Sequence, residues 1–192
     1  MKVPSEFMRF IDSERVAPLT RDLLEQRMAG PAASGGVLNN EQELTLRALL
    51  ARVVPQVCAD PIDLAGFLLA RLATGKGDGW RYDVLPADAQ AYREGLDRLG
   101  AKRFAELDEA AQDALLQALA AVGGSVDARW FEEVRGDATA AYVAHPATLA
   151  RLGYSGIGVG GANTEFKGFV TIGPNQRESW EPPPSKTNEV KA

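Results

Sequence analysis

Ala128-Arg129-Trp130-Phe131-Glu132-Glu133-Val134 opens the stretch that decides the fold. It reads as helix to about Ala144, passes His145-Pro146, and gives way to Gly153-Tyr154-Ser155-Gly156-Ile157-Gly158-Val159-Gly160-Gly161-Ala162-Asn163 and then Phe166-Lys167-Gly168-Phe169-Val170-Thr171-Ile172-Gly173. Helical periodicity on one side, and glycine mixed with aromatics on the other, predict a helical domain that ends in an extended arm. Ser125 or Asp127 suits the N-cap of the long helix. Pro146 lies past its end, with a short helical turn through Leu149 and Leu152 beyond. An arm that keeps Tyr154, Phe166, Phe169 and Trp180 among glycines needs a surface to lie on, supplied by its own domain or by a partner.

Upstream, the pattern stays helical. Asp108 caps a helix over 109–122, with Ala111, Leu115, Leu116 and Leu119 inward and Gly123-Gly124 as its stop. Pro86-Ala87-Asp88 starts another that runs to Gly100, with Tyr92, Leu96 and Leu99 on one face. Asn39 or Asn40 caps a helix whose broad apolar face is Leu44, Leu46, Leu49, Leu50, Val53 and Val54, and Pro55 distorts or ends it. Asp60-Pro61 reads as the next start, an N-cap followed by proline at N1, opening a helix through Leu72 that is apolar nearly all round and so central. Residues 4–29 give one or two short helices around Pro18, joined to the rest by the Gly30–Gly36 linker.

The expected fold is therefore all-α, about five to seven helices in a single domain over 37–152. An N-terminal arm and linker occupy 1–36, and the Gly/aromatic-rich arm and tail occupy 153–192. Phe169-Val170-Thr171-Ile172 is the one candidate strand, suited to joining a partner's sheet.

Composition narrows the function. A net charge of −5 argues against a nucleic-acid backbone as partner. No apolar run approaches the roughly 20 residues of a membrane span. The N-terminus has neither a secretory signal nor a twin-arginine pair, which reads as cytoplasmic; a periplasmic location would need a trimmed signal or one carried by a partner. Cys58 is the only cysteine and is expected to be buried and inert; with His145, the only histidine, it makes no zinc set.

The chemical motifs are incomplete. Gly156–Gly161 lacks the strand and helix that a dinucleotide loop needs, and Gly75-Lys76-Gly77-Asp78-Gly79 lacks the length of a P-loop. His145 could act as a general base, but its place beside Pro146 suits capping of the preceding helix C-terminus, where the dipole favours a cation. Glu132, Glu133 and Asp137, of which Glu133 and Asp137 share a helix face, lack a matching ligand set, which suits a solvated surface. Trp130 and Phe131 point to different sides of their helix, so that one is core while the other meets a partner. With Tyr154, Asn163, Phe166, Phe169 and Trp180 they form the expected partner-binding set, because aromatics concentrate at interface hot spots. Trp80 and Tyr82 add loop aromatics.

Several pieces, in order, resemble one family. They are Leu46-Arg47-Ala48-Leu49-Leu50-Ala51-Arg52-Val53-Val54-Pro55, the 103–116 run beginning Arg103-Phe104-Ala105-Glu106, Trp130-Phe131-Glu132-Glu133-Val134-Arg135, Asp137–Tyr142, Pro146, Tyr154-Ser155-Gly156 and Gly160-Gly161-Ala162-Asn163. Together, over about residues 40–180, they look like the gluconate 2-dehydrogenase subunit 3 family. The resemblance implies a small, non-catalytic subunit that carries no cofactor. Its partner would be a large FAD-containing subunit of the glucose–methanol–choline class, which oxidises gluconate, glucose, sorbitol or a glucoside and passes electrons to a cytochrome c or another acceptor. The small subunit would serve folding, stability or export of the large one. Two departures stand out: the twin-arginine signal of many relatives is missing, and Ala147–Gly153 separates Pro146 from Tyr154, which resembles a glucoside 3-dehydrogenase subgroup. The rival readings are a helical adaptor for an unrelated partner and an enzyme built on His145.

Overall fold

A computed structural model describes residues 2–31, 35–75, 77, 82–158 and 176–177. Those residues hold eight α-helices, two 3-10 turns and no strand. The all-α fold is as expected, with one helix more than the upper end of the expected count. The candidate strand at 169–172 lies outside the described residues. No described helix is long and apolar enough to cross a membrane.

The chain divides into two units. The first takes described residues 2–28 and 145–158, so the N-terminal stretch is not a bare arm. Its helix α1 (Ser5–Ile11) presents Phe7, Phe10 and Ile11 at helical spacing, and all three are buried. They join Val16, Leu24 of α2 (Pro18–Ala29), and Leu149 and Ala150 of α8 (Pro146–Leu152) in one apolar cluster. Phe7 and Phe10 meet edge-on, their ring centroids 5.9 Å apart. Arg21 closes the α1–α2 turn by donating to the Ile11 carbonyl at 3.0 Å and the Ser13 carbonyl at 2.9 Å, satisfying groups that the end of α1 leaves open. The 3-10 turn Gly156–Gly158 follows α8, and its Ile157 packs on the cluster.

The second unit spans 29–144. It contains α3 (Asn40–Val53), α4 (Leu64–Ala73), α5 (Asp88–Gly100), α6 (Glu109–Ala121) and α7 (Val126–Val143), with a 3-10 turn at Phe104–Glu106. Asn39 and Gln42 form a reciprocal capping box at the start of α3. Asp108 and Ser125 cap α6 and α7 through the amides of Ala111 and Ala128. The helix after the proline loop starts later than expected: Asp63, not Asp60, is the N-cap of α4, accepting from the Gly66 amide at 3.0 Å. The hub is also different. α3 and α7 each touch α4, α5 and α6 and one another, whereas α4 has one half-exposed side. In α6 the inward residues are Gln112 and Leu116, and Ala111 is exposed. Gln112 is tolerated there because its amide donates to the Phe104 carbonyl at 3.0 Å.

Candidate functional site

The expected partner-binding residues separate once they are placed. Trp130 is 2 % exposed and Phe131 8 %. Neither stands out from α7 to meet a partner, which corrects the reading that the helix would offer one of the two. Gly95 makes the burial of Trp130 possible: a Cβ there would lie 2.1 Å from indole Cε2. Phe131 lies at the edge of a hollow of about 220 Å³ between the Gly123-Gly124 turn and Arg129 and Arg135. Tyr154 is 52 % exposed, in the first unit, its hydroxyl so close to Gly156 that a Cβ would fall 2.4 Å from it. Asn163, Phe166, Phe169 and Trp180 lie outside the described residues, as does Trp80. Tyr82 is half-buried, with the Arg129 guanidinium 4.2 Å over its ring.

His145 does cap a helix, but the other end of the other helix. Its Nδ1 accepts from the Ala147 amide at 3.2 Å, making it the N-cap of α8, with Pro146 at N1. The expected contact with the carbonyls at the end of the preceding helix is thus replaced by one with an amide at the start of the next. Cys58 is exposed, not buried. Among the described residues no group of three or more His, Cys, Asp or Glu is placed to hold a metal.

Of the acids of α7, Glu132 is exposed as expected, but Glu133 and Asp137 are half-buried. The Arg71 guanidinium donates to Asp88 Oδ2 at 3.0 Å and, closer still, to Asp137 Oδ2. The Tyr92 hydroxyl donates to the same Asp137 oxygen at 2.5 Å. Burial first, then the Asp137 charge and its hydrogen bond, push the Tyr92 phenol well above its ordinary value, so it remains a donor. Burial works against the charge of Arg71, but Asp137, then Tyr92 and Asp88, outweigh it and hold the group above its ordinary value. This network ties α4, α5 and α7 together. The adjoining void of about 10 Å³ has the size of a water site. Sequence spacing showed Asp137 beside Glu133 only; Arg71 and Tyr92 come from other helices.

A larger feature was not legible in the sequence. An open groove of about 810 Å³ runs between α3, the 54–63 loop and the start of α6. Leu50, Ala51, Val54, Pro55, Val57 and Ile62 line it, and Arg47, Arg52, Asp63 and Glu109 stand around them. Arg47 is bonded to Glu43 at 2.8 Å and Asp63 at 3.0 Å. Arg52 is bonded to Glu109 at 2.7 Å and Asp113 at 2.6 Å. The hydrogen bonds to Asp113 and then Glu109 hold Arg52 above its ordinary value. With both arginines engaged by carboxylates, the groove does not fit a dinucleotide's phosphates.

Neither a comparison with curated proteins nor one with solved structures gives a match. A profile of the family described as Gluconate 2-dehydrogenase subunit 3 does match, over residues 40–161. That span runs from the first residue of α3 through the whole of α8, taking in the capped helices, the groove and the buried network, and it covers more than half of the chain: the protein belongs to the gluconate 2-dehydrogenase subunit 3 family.

Proposed function

We propose that this chain is the non-catalytic small subunit of a sugar or glycoside dehydrogenase, binding and stabilising a large FAD-dependent subunit of the glucose–methanol–choline class. The family match over residues 40–161 carries the reading, since it suggests a small subunit of a dehydrogenase complex. The described chemistry is compatible with it: the acids and the tyrosine of the buried network are spent on holding helices together. Hydride transfer to FAD would take place on the large subunit. A chain that binds the folded partner and not the unfolded one stabilises it by mass action, which is how a small subunit raises the yield of a large one. The substrate is a gluconate, glucose or glucoside type of sugar, with the spacing between Pro146 and Tyr154 favouring a glucoside 3-dehydrogenase. A cytochrome c or similar acceptor would be reached through the large subunit.

The experiment is co-expression with a candidate large flavoprotein subunit of the glucose–methanol–choline class. The expected result is a co-purified complex with flavin absorbance and sugar:dye oxidoreductase activity, and an isolated chain with neither. Sugar oxidation by the isolated chain overturns the reading, and so does a flavoprotein that is equally soluble and active without it.

A further inference from the structure

We propose that the void beside the Arg71, Tyr92 and Asp137 network is a built site for one buried water. That water accepts from the N–H groups of Trp130 and Arg71 and donates to the carboxylates beside them. The site belongs to this chain's own helices and stands apart from the small-subunit reading above.

Two donors require an acceptor. Trp130 is 2 % exposed, and its Nε1 is buried with no hydrogen-bond partner in the protein. A buried indole N–H ordinarily finds a partner, because otherwise its bond to water is lost with nothing in return. Nε of Arg71 is in the same position. The two terminal nitrogens of that guanidinium are already engaged, one with Asp88 and the other with Asp137. The head group therefore cannot turn to serve Nε without breaking a charge-assisted bond.

Both donors belong to residues that line the same void of about 10 Å³. Nε1 is on the edge of the indole that lies against Gly95 of α5. Ala91, one turn earlier on α5, lines the void too. So do Asp88, Glu133 and Asp137, whose carboxylates accept hydrogen bonds.

Size and polarity select the occupant. A void of this volume holds about one water-sized probe, and a buried water takes two to four polar partners. A cation would suit the carboxylates but would meet two N–H donors. An anion would suit the donors but would meet three carboxylates. Water accepts from the first set and donates to the second, so it answers both. Replacing it by a direct bond would require Trp130 to leave its seat on Gly95 or Arg71 to leave one of its aspartates.

The test is a high-resolution crystal structure of the full chain, joined to water NOE and ROE spectra of the same chain in solution. The expected crystal result is one ordered water within about 3.2 Å of Trp130 Nε1, of Arg71 Nε and of at least one lining carboxylate oxygen. In solution the Trp130 indole proton, assigned through bonds, should show a water cross-peak of opposite sign in the two spectra, the mark of a water held in place. Either N–H found donating directly to a protein acceptor overturns the proposal. So does a void without density, or one filled by an ion. A Trp130 indole proton that shows no held water overturns it as well, whatever the crystal contains.

Discussion

The Trp130 indole lies directly on the backbone of Gly95, leaving no space for a Cβ: one built there would be 2.1 Å from Cε2 and 2.3 Å from Nε1. Gly95 is in the interior of α5, where glycine costs about 1 kcal/mol relative to alanine by helix propensity. Gly95→Ala would therefore stabilise the helix if propensity alone counted. Overpacking should reverse the sign and give a net loss of about 1–3 kcal/mol in a urea melt. In a Trp130→Leu background the same substitution should cost much less, because the clash is gone. A midpoint that rises with Gly95→Ala in the native background would show that the indole is not seated on α5.

Tyr92 should make the protein lose stability at alkaline pH. Its folded-state value is raised above the unfolded value of about 10. Below that pH the phenol is protonated in both states and its contribution is complete. As pH rises through the window above it, the unfolded chain sheds the proton first and the contribution drains away. Tyr92→Phe removes a hydrogen bond to a charged acceptor and should cost about 1.5–3 kcal/mol at neutral pH. The gap between the two proteins should close as urea melts are repeated from pH 7 upward past 10. A gap of constant size across that range would mean that the phenol does not answer to Asp137.

Local signals were legible in the sequence and long-range ones were not. Asp108 was readable as a cap, and the caps of α3 and α7 to within two candidates each (Asn39 or Asn40, Ser125 or Asp127), because capping is a matter of three or four consecutive residues. Asp60 and Asp63 could not be ranked that way. Asp63 prevails with the Arg47 guanidinium on the same oxygen that caps α4, and Arg47 lies a full helix upstream. The burial of Trp130 needed Gly95, and the half-burial of Asp137 needed Arg71 and Tyr92. Each is a pairing of faces that only packing reveals. The N-terminal helices looked detached because the other wall of their core, Leu149 and Ala150, is far away in sequence.

His145 should behave as a cap under substitution. His145→Ala removes the acceptor for the Ala147 amide and should cost about 0.5–2 kcal/mol. His145→Asn should restore most of it, since asparagine is among the preferred N-cap residues and needs no imidazole. Thermal melts of the three proteins at one pH decide it. An alanine variant as stable as the native protein would remove the capping role and reopen the question of what this lone histidine does.

A truncation that probes the C-terminal arm must start after Gly158, not at Gly153. Gly153 ends α8 in the left-handed region at φ 70°, and the Tyr154 amide closes the helix by donating to the Leu149 carbonyl at 2.9 Å. Ile157 packs on the Phe7–Phe10 cluster, and a Cβ on Gly158 would be 3.0 Å from Phe10 Cζ. A chain ending at Gly158 keeps this cap and these contacts. One ending at Leu152 loses the cap and those contacts and should melt lower, by several degrees if the loss reaches about 1 kcal/mol. This separates two effects that a deletion from Gly153 would mix. If the residues beyond Gly158 clasp the large subunit, the chain ending there stays folded and no longer recovers the flavoprotein. If it still recovers the flavoprotein in full, the clasp is elsewhere.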